Sequence, residues 1–235
     1  EQFGGQLLNL NVFAKELSAA EIAEQYDAGM CSDVAKKHPR VVTWESILGK
    51  DRNGDVEGVD DECPAPEEET EDEADSEGAR PISALEFGST FNDYVMFYPD
   101  MSSAKYAVTV CSWVRKQLTG DIRSWFTYST SAHKYEMLIS DSGQYNYIQD
   151  SSLNVKTKVT VPLNTWTHEC NTWSTTSATL KVYYNGTMVG SKSVSSSPLT
   201  LGGHILLGHD SGSKNDKEQF GGQLLNLNVF AKELS

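Results

Sequence analysis

Four side chains in an acidic stretch have the spacing of a calcium-binding loop. In DRNGDVEGVDDECP, the side chains of Asp51, Asn53, Asp55 and Glu62 stand at positions 1, 3, 5 and 12 of the stretch. Oxygen ligands at this spacing are those that an EF-hand loop offers to calcium, which is a hard cation. The loop normally has glycine at the sharp turn where this sequence has Val56. The spacing therefore predicts a calcium site, and the alternative is a solvated acidic spacer.

Residues that could carry out catalysis are sparse elsewhere in the chain. The five histidines are scattered, and His204 and His209 stand five residues apart on a predicted strand, so their side chains tend to face opposite ways. Pairs of carboxylates fall mainly in the acidic stretch, where no pocket would shift their pKa values. No catalytic site is predicted, and we expect that the protein is not an enzyme.

The chain has four cysteines, an even number that allows two disulfides. Disulfides persist in oxidising compartments, so we expect a secreted, extracellular protein. Pairing of Cys31 with Cys63 would attach the acidic stretch to the segment that precedes it. Pairing of either cysteine with a neighbouring chain is one alternative that the sequence leaves open, and free cytosolic thiols are the other.

The net charge of −14 is concentrated in one segment. Residues 51–79 hold 14 acidic residues and one basic residue, a net of −13, while the other 19 acidic and 18 basic residues give −1. We therefore predict a nearly neutral globular part and an acidic linker over 51–79. Nucleic acid is not an expected partner, because its phosphates would be repelled. No apolar run is long enough to predict a membrane span.

The same eighteen residues, EQFGGQLLNLNVFAKELS, occupy 1–18 and 218–235, which is a period of 217. Identical copies at a fixed period are typical of tandem arrays. Inside the repeat, LLNLNVF alternates as a strand does, and Ser18 with Glu21 forms the capping box of a helix that follows. We interpret the chain as one period of an array together with the overlap into the next.

Residues 80–235 contain many short segments with the pattern of β-strands. YAVTVCSWV, NTWTHECNTW and ATLKVYYNGTMVGSKSV alternate between apolar and polar residues. Asn185 and Gly186 supply the positive φ angles of a type I′ hairpin turn. Short strands separated by turns predict an all-β, antiparallel sandwich.

Five motifs, in order, resemble the pentraxin domain: TVCSWVR, THECNTWS, VYYNGT, ILLGHD and FGGQLLNLNVFAKELSAAEI. The resemblance covers 80–235 and continues in the same frame through 1–49. It implies a lectin-like, jelly-roll sandwich with one helix after the LNVF strand. Residues 1–50 would then be the C-terminal part (strand, helix, strand) of a preceding pentraxin-like repeat. Residues 51–79 would be the acidic linker, and 80–235 a sandwich that is incomplete at its C-terminus.

The resemblance also implies one disulfide. Cys111 and Cys170 match the two positions that form the intradomain disulfide of the family. A second modification is predicted from the residues themselves, because Asn185-Gly186-Thr187 is an acceptor sequence for N-glycosylation in the hairpin turn. The alternative is an unmodified asparagine that tolerates the left-handed conformation of the turn.

Calcium is the cofactor that the resemblance implies, and only part of its ligand set is present. Asp210, Asn215 and Glu218 stand where the family has calcium ligands. Gly212 replaces an acidic ligand, and Lys134 lies where an earlier loop of the family has an Asp-Asn pair. We expect the standard double-calcium site to be lost, together with ligand recognition through it.

Two function classes remain open. The first is a secreted structural protein whose tandem pentraxin-like domains form an extracellular filament or matrix, with neighbouring copies of itself as partners. The second is a calcium-dependent lectin or pattern-recognition module that binds glycans. For the array we expect 218–234 to complete the sandwich of 80–217, and 1–17 to complete the domain before it. A folded-back circular permutant is the alternative placement of the first segment.

Overall fold

The structure is a computed structural model that describes residues 11–13, 18–27, 40–43, 47, 52–53, 57–62, 81–88, 92–118, 123–140, 146–150, 161–212 and 219–230. Within these residues the chain forms one α-helix, α1 (Ala19–Asp27), one short 3-10 helix (Ser102–Ala104) and fifteen strands. The strands are β1 (Asn11–Phe13), β2 (Arg40–Thr43), β3 (Arg52–Asn53), β4 (Glu57–Glu62), β5 (Pro81–Glu86), β6 (Tyr94–Phe97), β7 (Ala107–Lys116), β8 (Ser124–Ser129), β9 (Met137–Ser140), β10 (Tyr147–Ile148), β11 (Thr167–Ser174), β12 (Thr179–Tyr184), β13 (Thr187–Ser193), β14 (His204–Leu207) and β15 (Gly222–Phe230).

Two sheets form a sandwich. The larger sheet has nine strands in the order β13-β12-β11-β7-β1-β15-β5-β4, and β2 pairs with β1. The smaller sheet has six strands in the order β10-β9-β8-β14-β6-β3. Among the described strands all neighbours in the two sheets run antiparallel except β1 and β15, which carry the same sequence and run parallel. The predicted all-β, antiparallel jelly-roll sandwich with one helix is confirmed.

The hydrophobic core fills the space between the two sheets because their strands alternate. On β7, the side chains of Val108, Val110 and Val114 belong to the core, whereas Trp113 faces the opposite side of the sheet. The largest fully buried side chains are Trp125, Trp173, Tyr128, Phe87, Phe126 and Phe220. The hairpin between β12 and β13 turns at Asn185 (φ 46°) and Gly186 (φ 73°), as the Asn-Gly pair predicts.

The capping box predicted from Ser18 and Glu21 starts α1. The Glu21 amide donates to Ser18 Oγ at 3.2 Å, and the Ser18 amide donates to Glu21 Oε2 at 2.9 Å. These two bonds satisfy backbone donors that the first turn of a helix leaves unpaired. They fix where α1 begins, and Ile22 on its inner face is fully buried.

The first segment of the chain packs on the same sandwich as the later sequence. Ile47 lies in the core between the sheets, α1 lies against the nine-stranded sheet, and β1 and β2 belong to that sheet. An apolar helix face needs such a surface to cover. The folded-back circular permutant stays one of the predicted arrangements. The role of 1–50 in a preceding repeat stays a prediction for a longer array.

Part of the predicted acidic linker also joins the sandwich. Arg52–Asn53 pair with β6 at one end of the six-stranded sheet, and Glu57–Glu62 pair along β5 at one end of the nine-stranded sheet. The charge of the segment predicts an extended spacer, yet edge strands accept charged side chains readily. The composition therefore did not reveal these two pairings.

Candidate functional site

The outer face of the six-stranded sheet carries a cavity of about 560 Å³. Strands β6, β8 and β14 supply its floor, and the loops after β8 and β14 supply its rim. The lining residues are Asn92, Tyr94, Met96, Ser129, Thr130, Ser131, Lys134, His204, Leu206, His209 and Ser211. Nine of these eleven residues carry polar atoms, and Met96 and Leu206 are apolar. Concave surfaces are the usual places for small-ligand sites.

The floor of the cavity is apolar and partly aromatic. Leu206 on β14 pairs directly with Met96 on β6, so both side chains lie on the outer face of the sheet. Beside them the ring of Tyr94 meets that of His209 edge-on, with centroids 5.2 Å apart. Such a floor offers van der Waals contact to the apolar face of a ring-shaped ligand.

The rim loop after β8 is held by hydrogen bonds to its own backbone. The hydroxyls of Ser129 and Ser211 donate to the carbonyl oxygen of Lys134, at 2.6 Å and 3.0 Å. The Tyr135 amide donates to Asp150 Oδ1 at 2.6 Å, and the Thr130 amide donates to the carbonyl of His133. The backbone that carries Lys134 is thus positioned before any ligand arrives.

Gly212 leaves the space that the end of Lys134 occupies. A Cβ atom at residue 212 would overlap Lys134 Cε and Nζ and the hydroxyl of Tyr135. The Lys134 Nζ lies 5.2 Å from the centroid of the Tyr135 ring, within the range of a cation–π contact. Because residue 212 is glycine, the lysine can lie against this loop at the edge of the cavity.

The charge of the cavity differs from that of the chain as a whole. Lys134 is the one fully charged side chain among the described lining residues, none of which is acidic. Partial burial lowers the pKa of His204, because burial disfavours the charged imidazole. The described lining therefore carries one formal positive charge, that of Lys134.

The calcium ligands predicted by family resemblance are not assembled in the described part of the chain. Asp210 is buried, and its carboxylate accepts the Gly212 amide at 2.7 Å. Its own amide donates to Gln219 Oε1 at 2.8 Å, so the residue stabilises its loop. Asn215 and Glu218 lie outside the described residues. Calcium binding by this set stays a prediction.

The EF-hand-like set of the acidic stretch is divided between the two sheets. Asn53 lies on β3 in the six-stranded sheet, and Glu62 ends β4 in the nine-stranded sheet. Asp51 and Asp55 lie outside the described residues. The described part of the stretch is extended, whereas an EF-hand loop coils around its ion. Calcium binding here also stays a prediction.

The outer face of the nine-stranded sheet holds a disulfide. Cys111 on β7 and Cys170 on β11 are direct cross-strand neighbours, both fully buried, and their sulfur atoms are bonded. His168 Nε2 lies 3.8 Å from the Cys170 sulfur, but sulfur atoms in a disulfide are not thiolate ligands for a metal. Cys31 and Cys63 lie outside the described residues, so their pairing stays a prediction.

Helix α1 covers this face through an aromatic cluster. Tyr26 stacks on Trp113 with centroids 5.6 Å apart, and the ring of His168 lies 5.3 Å from that of Trp113. Burial lowers the pKa of His168 to about 3, because a charged imidazole would lose its hydration there. The helix therefore docks on a neutral histidine.

The predicted glycosylation residue lies at the edge of the same face. Asn185 is exposed at the tip of the β12–β13 hairpin, and its Oδ1 accepts the His168 amide at 2.9 Å. A Cβ atom at the neighbouring Gly186 would lie 3.2 Å from Ala23 Cα, so α1 packs closely on the turn. The position is accessible at the surface, and glycosylation stays a prediction.

A comparison with models of known protein families agrees with this architecture. A model of the family described as the concanavalin A-like lectin/glucanases superfamily (Laminin_G_3) matches residues 87–235. The chain belongs to the concanavalin A-like lectin/glucanases superfamily. Neuronal pentraxins are similar to this chain in sequence, and the predicted resemblance to a pentraxin-like lectin domain is confirmed.

Curated proteins that are similar to this chain match part of its length. Human neuronal pentraxin-1 is 27% identical over 139 residues, which are 55% of this chain and 32% of that protein. The rat neuronal pentraxin-1 is 25% identical over the same length. The chain thus matches about a third of the length of these relatives.

Two solved structures are similar to part of this chain. The heptameric SAP-like pentraxin from Limulus polyphemus has a TM-score of 0.49 at 21% identity, over 60% of this chain and 71% of that chain. Domain 4 of an extracellular arabinanase from Geobacillus stearothermophilus, in complex with arabinotriose, has a TM-score of 0.49 at 17% identity, over 62% of this chain and 70% of that chain.

In the described part of the chain, no helix is both long and apolar enough to cross a membrane.

The sequence pattern identified one residue of the lining, Lys134, and did not predict the cavity. It singled out Lys134, Gly212 and Asp210 by resemblance, and treated the first two as losses from a calcium site. The floor residues Met96 and Leu206 have ordinary types and lie 110 positions apart, so no local pattern joins them. Only the pairing of β6 with β14 brings them together.

Proposed function

We propose that this chain is part of a secreted structural protein in which tandem pentraxin-like domains associate into an extracellular filament or matrix. The partners in this proposal are neighbouring copies of the same sequence. The observation that carries it is that both copies of the repeated segment pair with the same residue of the sandwich.

That residue is Val110 on β7. One side of β7 faces β11, where Val110 pairs with Asn171. On the opposite side, which we call the β7 edge, Val110 pairs with Val12 of the first copy and with Val229 of the second. The two partners are equivalent positions of the repeat, since 229 − 217 = 12. Val12 and Val229 also pair with each other, so both copies meet at this edge. Because a continuous ladder along one edge of a strand has one neighbour, we propose that the two copies compete for the β7 edge.

Because the repeated segment is present twice and the β7 edge accepts one copy, the other copy is available to associate with a second chain. A chain whose β7 edge holds one of its own copies has a second, identical strand that fits the β7 edge of another chain. Such a contact is heterologous, and heterologous contacts that do not close into a ring give open filaments. The same exchange between successive domains would join the periods of a tandem array.

Other features of the chain are compatible with an extracellular structural role. The disulfide between Cys111 and Cys170 suits an oxidising compartment, and Asn185 is accessible for a glycan. We also propose that the domain is not a glucanase. Glycoside hydrolysis usually needs two carboxyl groups that flank the substrate, and the described lining of the cavity contains none.

The cavity favours a second candidate function, a lectin-like binding module. Its apolar floor and polar rim suit a sugar ring. A calcium-dependent form of this function requires oxygen ligands near the rim, where Lys134 places a positive charge instead. Retention on a glycan resin that is abolished by a calcium chelator would favour this candidate.

The filament proposal is tested by replacing one valine with aspartate in either copy of the repeated segment. Val229 is fully buried, so Val229→Asp removes the second copy as an occupant of the β7 edge, and Val12→Asp removes the first. We expect each variant to keep its β-sheet circular dichroism, because the intact copy fills the edge. We also expect each to lose the association that the unchanged 235-residue chain shows in sedimentation at rising concentration.

The matched control is Met188→Asp, which adds the same charge at an exposed position of β13. This variant should associate as the unchanged chain does. If both single variants at the repeat still associate normally, or if the unchanged chain stays monomeric at all concentrations, the exchange proposal is wrong.

A further inference from the structure

We propose that the outer face of the nine-stranded sheet is a docking surface for helix α1 of a second copy of this chain. We call this surface the α1 face and define it by Trp113, His168 and Gly186, against which α1 lies in the structure. The inference rests on the proposed exchange of the repeated segment, and it names the helix as the element that moves with the exchanged segment.

The first support is that α1 is joined directly to the first copy of the repeat. Ser18 is the last residue of that copy, and its amide and its hydroxyl both donate to Glu21 Oε2, at 2.9 Å and 2.8 Å. The Glu21 amide donates back to Ser18 Oγ at 3.2 Å. Because the copy caps the helix, a first copy that enters another chain brings α1 with it.

The second support is the unequal pairing of the two copies with β7. The second copy pairs with β7 along β15, from Gly222 to Phe230 with one irregularity. Among the described residues of the first copy, Val12 alone pairs with β7. Each further residue pair in an antiparallel ladder adds to the backbone hydrogen bonds that hold the strand. The first copy, with α1 attached, is therefore the one more easily released for exchange.

The third support is that α1 and the second copy use different groups of β7. The second copy pairs with the backbone of β7 at its edge. Helix α1 instead covers side chains on the outer face, where Tyr26 stacks on Trp113 with ring centroids 5.6 Å apart and the ring of His168 lies beside them. A helix from a second chain can therefore dock while the second copy stays in place at the β7 edge.

The fourth support is the close fit of α1 to this face. A Cβ atom at Gly186 would lie 3.2 Å from Ala23 Cα, and Ile22 is fully buried. Departure of α1 removes the ring that stacks on Trp113 and leaves an aromatic surface in contact with water. Exposed apolar surfaces of this kind are typical of protein–protein contacts. A face that has lost its own helix therefore accepts the same helix from a second copy.

The experiment mixes two variants of the full 235-residue chain, each defective in one half of the contact. Ile22→Asp places a charge on the buried side of α1 and keeps the α1 face, whereas Trp113→Gln removes the ring from the face and keeps α1. We expect each variant alone to associate at least about tenfold more weakly than the unchanged chain in sedimentation. The equimolar mixture should form a one-to-one dimer that grows no further, because each pair contains one intact helix and one intact face.

The matched control is Ala20→Asp, which adds the same charge at an exposed position of α1. This variant should associate as the unchanged chain does. Circular dichroism of every variant verifies that the β-sheets are intact.

A second measurement locates the contact by a disulfide between chains. One chain carries Ala23→Cys and the other Gly186→Cys, because a Cβ atom at residue 186 would lie 3.5 Å from Ala23 Cβ, a separation that suits a disulfide. Peptide mapping of the oxidised mixture without reduction should show residue 23 of one chain linked to residue 186 of the other. The double variant in a single chain is the positive control, since Gly186 has a φ of 73° that cysteine adopts with strain.

A dimer in the mixture of Ile22→Asp with Trp113→Gln, together with the link between chains, supports the proposal. A mixture of folded variants without the dimer, or a link that forms only within the double variant, would overturn it. Full association of Ile22→Asp alone would overturn the docking of α1 without contradicting exchange at the β7 edge. An unchanged chain that stays monomeric would overturn both.

Discussion

Replacing Cys111 and Cys170 together by alanine lowers the free energy of unfolding by about 4 kcal/mol. The disulfide joins residues 59 positions apart, and a closed loop of this size restricts the unfolded chain strongly. Substituting both cysteines leaves no free thiol behind. Urea unfolding, followed by tryptophan fluorescence, measures the change in free energy directly.

The control for the disulfide prediction lies on the same two strands. Thr109 and Thr172 are also direct cross-strand neighbours of β7 and β11, and both are fully buried. The double variant Thr109→Ala with Thr172→Ala removes a cross-strand contact without breaking a covalent bond. Such contacts contribute about 0.2–1 kcal/mol. A similar loss in both double variants would mean that side-chain contact, and not the covalent link, accounts for the effect.

Acidification from about pH 7.5 to about pH 5 destabilises the protein by about 2 kcal/mol through His168 alone. Burial among Tyr26, Trp113 and the disulfide lowers the pKa of His168 to about 3 in the folded state. In the unfolded chain the pKa is about 6.5, so between these two values only the unfolded chain binds the proton. Stability contributed by the neutral ring is therefore complete above pH 6.5 and declines as the pH falls towards 3.

The variant His168→Gln isolates this contribution from that of the other titrating groups. Its free energy of unfolding, measured by urea at the same two pH values, should fall by about 2 kcal/mol less than that of the unchanged chain. Because His168 lies under α1, the docking of the helix should share this pH dependence. An equal fall in both proteins would show that His168 takes up its proton in the folded state at an ordinary pKa.

The strands and the helix could be predicted because the sequence patterns that indicate them are local. The alternation on β7 and β11, the Asn185-Gly186 turn and the capping box of Ser18 each lie within a few residues. The pairing of β3 with β6 and of β4 with β5 could not be predicted, because the acidic composition of β3 and β4 outweighs a weak strand pattern. An edge strand needs only one partner and tolerates charge on its side chains.

The cavity could be predicted only in part. Lys134 and Gly212 were recognisable as departures from a family pattern, and the sequence explains their effect on calcium. What the sequence does not show is that the two changes are complementary, because the glycine provides the space that the lysine fills. Complementarity between residues 78 positions apart depends on the sandwich that brings the two loops together.

If the two identical segments compete for the β7 edge, each copy must be able to reach Val110. Two double variants measure this: Val12→Cys with Val110→Cys, and Val229→Cys with Val110→Cys, both oxidised and mapped by peptide mass spectrometry without reduction. We expect residue 110 to become linked to residue 12 in the first protein and to residue 229 in the second, since both pair with Val110. A link at residue 229 with none at residue 12 would show that only the second copy occupies the edge, and the proposed competition would be wrong.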